Sequence, residues 1–315
     1  DGGCPSLLLE PTATNIIPYS EDFTQWSQQG VSTVSNSAIS PDGTLNADKI
    51  TATTTDPAPF IFTNVTATEH TFSFYYKGEA NSIGKEARVL FWFIGTATGT
   101  TLSVPFTLTG DWQRFESQIT PTGAGTLALR IDFPVNDATI GDYGYLWGAQ
   151  LEQNSYATSL IKTVGSATTR SADTANGAGD ASTFNDSEGV LMAEISALTN
   201  SGGKWISLSN GSTSQRISFA NENGNIRVYI FNGVVIWDYI YYNINTITSN
   251  KISLKYKSGD YSLFINGFKI NTSTSSLVAS GIDSLQFNSG GGSGNFEGNT
   301  KQIQYFDSAL NDSDL

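Results

Sequence analysis

The sequence predicts an all-β protein: two antiparallel β-sandwiches joined by a linker rich in Gly, Ser, Ala and Thr. Three observations carry that prediction. Apolar residues recur with a period of two over short runs that turn residues separate. Charged residues make up only 14% of the 315 residues and aromatics 12%, whereas roughly a quarter of an average globular chain is charged. Short strands with polar turns have this composition, and helical bundles do not. No long stretch repeats apolar residues at i, i+3, i+4 and i+7. The length suffices for two domains with a sizeable core in each.

Along the chain, Gly2-Gly3-Cys4-Pro5 and then Ser6-Leu7-Leu8-Leu9-Glu10-Pro11 open a first strand entering a sandwich. Ser40-Pro41-Asp42-Gly43-Thr44 is a turn, because Pro fixes φ and Gly permits positive φ. In 71–77, alternation puts Phe72, Phe74 and Tyr76 on the core side. In 88–94, Val89, Phe91 and Phe93 take that side, and in 126–133 Leu127, Leu129, Ile131 and Phe133 do. A strand begins at Asp111-Trp112-Gln113-Arg114-Phe115, and 143–152 is the last of the first domain. Residues 162–182 hold few large apolar groups and are expected to be the linker, between domains 1–161 and 183–315. The second domain shows strands over 188–195, 205–210, 215–221, 225–231 and 234–242. Lys251 to Gly267 then reads as strand, Gly-Asp turn, strand and a closing Asn-Gly, a tight hairpin. Asn311 is placed to cap a helix at the end of the chain. The abrupt start at Asp1 and the stop inside that turn point to a piece of a longer protein.

Particular motifs resemble known families. Ser6-Leu7-Leu8-Leu9-Glu10-Pro11, Tyr19-Ser20-Glu21-Asp22-Phe23, Trp147-Gly148-Ala149-Gln150-Leu151-Glu152 and Thr169-Arg170-Ser171-Ala172-Asp173 are similar to segments of bacteriophage tail and virion surface proteins. The order Phe72-Ser73-Phe74-Tyr75-Tyr76-Lys77-Gly78, then Asp111 to Phe115, then Trp147 to Glu152 resembles the jelly-roll carbohydrate-binding modules found beside glycanases. The hairpin of 251–267 resembles the laminin G-like and concanavalin A-like lectin sandwich. These resemblances imply a non-enzymatic protein of the virion surface, in a tail or head fibre, that adheres to host cell-surface glycans. They also imply contacts with other virion proteins and a homo-oligomer, a trimer by analogy with fibres. The alternatives are an accessory region of a secreted glycan-degrading enzyme and a purely structural virion domain.

Charge and residue inventory narrow the chemistry. The net charge of −13 repels phosphate, so nucleic acid is not an expected partner. No apolar run reaches spanning length, so membrane insertion is not expected. With one Cys and one His, neither an intrachain disulfide, a histidine triad nor a Cys–His pair can be assembled. His70 is expected to be a solvated loop residue. Asp186 and Glu188 are spaced for one strand face, but the third carboxylate of a glycanase constellation does not follow. Gly290-Gly291-Gly292-Ser293-Gly294 lacks the lysine and helix of a phosphate loop and reads as a flexible turn.

Sugars stack on aromatic rings and hydrogen-bond to flanking polar groups. If the strands of the first domain are neighbours, alternation leaves Tyr75, Lys77, Arg88, Trp92, Arg130 and Asp132 on one outward face, a candidate carbohydrate groove. Ordinary solvated sheet or an interdomain contact is the competing reading, and a one-residue slip would reverse every assignment. In the second domain Trp237, Tyr239, Tyr241 and Tyr242 form a dense aromatic run, a candidate interface or second glycan site. A structural Ca2+ is the one cofactor the jelly-roll resemblance implies, with Glu21, Asp22, Asp48 and Glu152 as candidate ligands and Asp42 also at hand.

Overall fold

The computed structural model describes residues 6–135 and 137–315; the Gly2-Gly3-Cys4-Pro5 opening lies outside them. The chain forms two compact units, one of Thr12–Ser171 and one of residues 6–11 with Ala172–Leu315.

The unit Thr12–Ser171 holds two five-stranded antiparallel sheets. One runs in the order Gln113–Ile119, His70–Glu79, Tyr143–Glu152, Leu45–Ala52, Val31–Ile39. The other runs Ser27–Gln29, Ala58–Val65, Gly125–Asp132, Glu86–Ile94, Leu102–Thr107. The alternation is as the sequence predicts: Phe72, Phe74, Tyr76, Val89, Phe91, Leu127, Leu129, Ile131 and Phe133 share one buried cluster. Each such side chain stabilises the fold by roughly 1.5–3 kcal/mol relative to exposure. Phe74 and Phe115 stack with ring centroids 5.1 Å apart, which locks the edge strand onto its neighbour.

The other unit holds two six-stranded antiparallel sheets. The first is Leu7–Leu9, Gly298–Phe306, Glu188–Ala197, Asn250–Lys257, Tyr261–Ile265, Phe268–Ser273. The second is Asn176–Ala178, Ser284–Gln286, Gly203–Ser209, Arg216–Glu222, Asn225–Phe231, Val235–Tyr241. The 251–267 hairpin is present, and both Asn266 and Gly267 have positive φ (53° and 80°), as a type I′ turn requires. Leu263 and Ile265 point into the core with Tyr256 and Tyr261.

Residues 162–182, expected to be a linker, carry two short strands. Thr168–Arg170 pairs with Ala13–Asn15 inside the first unit. Asn176–Ala178 pairs with Ser284–Gln286 inside the second. The N-terminal strand Leu7–Leu9 likewise pairs with Gly298–Phe306, and so belongs with the C-terminal half. At the chain end the expected cap is not made. Asn311 precedes a short 3-10 turn, Asp312–Asp314, and its side chain accepts no capping hydrogen bond; it donates to Asp314 instead, at 3.3 Å. Lys255 and Lys269 hold that turn through Asp312.

Candidate functional site

The first unit brings four of the six expected groove residues together. Arg88 and Trp92 alternate with buried Val89 and Phe91 on Glu86–Ile94, and Arg130 and Asp132 alternate with Leu129 and Ile131 on Gly125–Asp132. The ladder sets Asp132 opposite Arg88, and Ala128 opposite Trp92. On its other side Ala128 faces Phe62, and Arg130 faces Phe60. The outer face is therefore a row of Trp92, Ala128 and Phe62 across three strands, with Phe60 beside it. Trp92 is 56% and Phe62 50% exposed, while Ala128 is buried. A methyl group between two rings keeps the floor of the row low. Phe60 and Phe62 meet edge to face at 5.4 Å.

A charged network borders this row. Buried Asp132 accepts from the Nε of Arg88 on one oxygen and from the Nε of Arg130 on the other. Arg130 also donates to Asp56 and to Gln29 Oε1, and Gln29 donates to Asp56 at 2.6 Å. Burial works against the Arg130 charge, but Asp132 and Asp56 outweigh it and its pKa lies above the ordinary value. The guanidinium groups are thus fixed in orientation beside the rings, with little rotamer freedom left to lose when something binds.

Tyr75 and Lys77 are not part of this face. Their strand, His70–Glu79, lies in the opposite sheet, so the chain crosses the sandwich between residues 79 and 86. Strands consecutive in sequence can join different layers, and alternation alone does not register the crossing. Tyr75 packs on Trp147 at 5.3 Å, under the Arg114 guanidinium, and Lys77 pairs with Glu79 at 3.0 Å. Phe60, Phe62, Gln29 and Asp56 are the members that sequence reasoning missed. The alternation of Phe60, Phe62 and Asn64 with buried Ile61 and Val65 was the available signal.

Of the four expected metal ligands, three share one cavity and Glu152 lies apart. Glu21, Asp22 and Asp48, with Ser35, Asn36 and Asn46, line a cavity of about 200 Å³. Glu152 is distant from it: Leu146 pairs with Asp48, and Glu152 lies six residues further along the same strand. There its carboxylate is buried and accepts from Thr158 and Gln150. Glu21 is engaged by the Trp147 indole N–H at 2.9 Å and by Lys162 at 3.1 Å. Asp48 accepts from the backbone N–H of Phe23 and of Asn36. Burial, helped by the charges of Asp22 and Glu21, pushes its pKa up to about 6. Asp42 closes its own turn, accepting from Ser40 and Thr44, and those bonds depress its pKa. Among the described residues no group of three His, Cys, Asp or Glu is placed to hold a metal ion, so the carboxylates of this cavity do not by themselves make a Ca2+ site.

In the second unit the aromatic run faces inward. Trp237 is in the core, and Tyr239 and Tyr241 pack against it, while Tyr242 is exposed. The pairing of Trp237 with Ile230 and of Tyr239 with Val228 explains this, because residues opposite each other share a face. The outer face carries other aromatics, Trp205, Tyr229 and Phe231. The glycine-rich segment lies flat on part of that face. A Cβ on Gly294 would meet the Trp205 ring at 2.6 Å, and one on Gly290 would meet Ser212 O at 2.8 Å. The segment is therefore packed backbone, which requires glycine for close approach.

The remaining sequence candidates have structural partners. His70 is buried and bonds Thr68 O through Nδ1 at 2.8 Å, and burial lowers its pKa. Asp186 accepts from the backbone of Gly281 and Ile282. Glu188 pairs with Lys257 at 2.9 Å. No helix among the described residues is long and apolar enough to cross a membrane.

No protein-family model matches the chain, and no curated protein matches it. Among solved structures it is similar to the sialidase CBM40 module of Ruminococcus gnavus bound to α2,3 sialyllactose. That match has 18% identity, covers 45% of this chain and 91% of the other, and has a TM-score of 0.36. It is similar to domains LG4-5 of the mouse laminin α1 chain, at 10% identity over 99% and 96% of the two chains, TM-score 0.31. It is also similar to the CBM22-1-CBM22-2 tandem of Paenibacillus barcinonensis Xyn10C, at 10% identity over 98% and 99%, TM-score 0.33.

Proposed function

We propose that the chain is a non-enzymatic glycan-binding protein, and that the outer face carrying Trp92 is its binding platform. The observation that carries this reading is the exposed row of Trp92, Ala128 and Phe62 beside the Asp132-anchored arginines. Exposed rings on a rigid sheet offer the stacking surface that the C–H face of a sugar demands. Arg88 and Arg130 present oriented donors to its hydroxyls, and Gln29 adds an amide. Solvated sheet would not need a Trp and a Phe placed across a buried alanine.

The finer reading is that the chain belongs to a bacteriophage tail or head fibre, exposed on the virion, where it adheres to host cell-surface glycans. The support is the likeness of Ser6 to Pro11, Tyr19 to Phe23 and Trp147 to Glu152 to virion surface proteins. In a fibre it would act as a homo-oligomer, a trimer by analogy, alongside other virion proteins, because avidity multiplies weak single-site affinity. The run 237–242 gives no support to that assembly, since most of its rings fill the chain's own core. A catalytic domain encoded beside this chain would favour the secreted accessory-module reading instead.

The test is a glycan array with the whole chain, its Trp92→Ala variant and its Phe62→Ala variant. Wild type retains a subset of neutral glycans. Trp92→Ala loses them while its melting temperature stays within about 1 °C, since stacking is worth on the order of 1 kcal/mol and an exposed ring adds little to the core. Retention of the same glycans by both variants, or of none by wild type, overturns the platform.

A further inference from the structure

The outer face of the second unit presents an arginine that the fold leaves without an acidic partner. Arg216 stands on Arg216–Glu222, opposite Phe231. Its guanidinium lies 5.1 Å from the Trp205 ring centroid and 4.7 Å from that of Tyr229. Tyr229 in turn stacks on Phe231 at 5.9 Å, with the rings 19° from parallel. Arg216 Nη1 donates to Ser289 O at 2.7 Å, and its Nε is buried with no partner.

The neighbouring arginine makes the contrast. Arg227, which also lies over the same two rings, is neutralised by a bidentate pair with Asp238 and a contact to Glu222, each at 2.8–2.9 Å. Among the described residues no carboxylate forms an ion pair with Arg216. A half-buried, unpaired guanidinium is costly to keep, and in a chain with 29 acidic residues a partner was easy to supply. Burial and the Arg227 charge both hold the Arg216 pKa below its ordinary value, Tyr229 opposing them. The arrangement is rigid because the packed glycine segment fixes Trp205 and Ser289 around it.

We propose that this face binds a sugar bearing a carboxylate, with the carboxylate on Arg216 and the apolar face of the sugar ring against Tyr229 and Phe231. The inference rests on the reading of the chain as a glycan binder, but it concerns a different unit from the Trp92 platform. A guanidinium pairs with a carboxylate through charge-assisted hydrogen bonds, and with Nε buried and Nη1 on Ser289 O the donor Arg216 has left for it is Nη2. Aromatic rings alongside it supply the apolar half of the contact. The overall charge of −13 does not forbid this, because charges further than about 8 Å are largely screened at physiological salt.

The experiment uses the whole chain in calorimetric titrations with paired probes: sialyllactose against lactose, and galacturonate oligomers against the same oligomers fully methyl-esterified. The acid member of at least one pair should bind at least about tenfold more tightly, the size of one charge-assisted contact. Arg216→Gln should erase that preference, Arg216→Lys should keep part of it, and Trp92→Ala should leave it intact. Each variant is used only if it melts like wild type; should Arg216→Gln unfold, Arg216→Lys with Tyr229→Leu carries the test. Equal binding of acid and neutral forms, or an acid preference that survives in the Arg216 variants, overturns the proposal. If neutral glycans still bind through Trp92 in that case, the platform stands and only this site fails. If no glycan of either kind binds, both readings fall.

Discussion

Replacing Asp48 with asparagine should flatten the fall in stability of the first unit between pH 4 and pH 7. Asp48 is about 1% exposed, and burial raises its pKa from 3.8 to about 6 in the folded chain. Between those two values the folded state holds a proton that the unfolded state has released, so stability falls as pH rises. It is fully present below about pH 4 and lost once pH passes 6. A shift of about two units corresponds to about 3 kcal/mol, since one unit is ~1.4 kcal/mol. Asparagine is neutral like the protonated carboxyl but has a single acceptor, so one of the N–H groups of Phe23 and Asn36 loses its partner at every pH, at a cost of about 1–3 kcal/mol. The variant should therefore lie below wild type near pH 4 by that cost and gain on it by up to about 3 kcal/mol between pH 4 and pH 7. Urea titrations from pH 4 to pH 7 can be followed through the indole N–H resonances of Trp26 and Trp147, both buried in this unit. Glu152, also raised by burial, leaves the variant a shallower slope of the same sign. A wild-type midpoint that does not change with pH, or an equal slope in Asp48→Asn, would refute the argument.

Two further substitutions test the packing. Asp132→Ala removes the shared acceptor of Arg88 and Arg130, leaving Arg88 without a carboxylate and Arg130 with Asp56 alone, so it should cost about 3 kcal/mol in a denaturant titration. A loss below about 1 kcal/mol would show the network to be solvated. Ile265→Ala deletes a core side chain of the 251–267 hairpin and should destabilise the second unit by roughly 2–5 kcal/mol; wild-type stability would contradict the hairpin's place in the core.

The sequence by itself determined the fold class, because a period of two is a local property that each strand carries in its own residues. It determined which side of 71–77, 88–94 and 126–133 enters the core, and the Asn266-Gly267 turn, whose backbone angles only such residues adopt readily. It did not show 31–39, 45–52 or 58–65 as strands. Their outward sides carry Val34, Ile39, Leu45 and Phe62, all exposed, and apolar groups on the solvent side blur the alternation. Only the tertiary structure decided which strands are neighbours. That choice separated Tyr75 and Lys77 from Trp92, sent Trp237 and Tyr239 inward, carried Glu152 away from Asp48, and set Arg216 between Trp205 and Tyr229. Each outcome depends on pairing between segments far apart in the chain. Alternation fixes the face on which a residue lies but leaves its cross-strand partner to be settled by long-range packing.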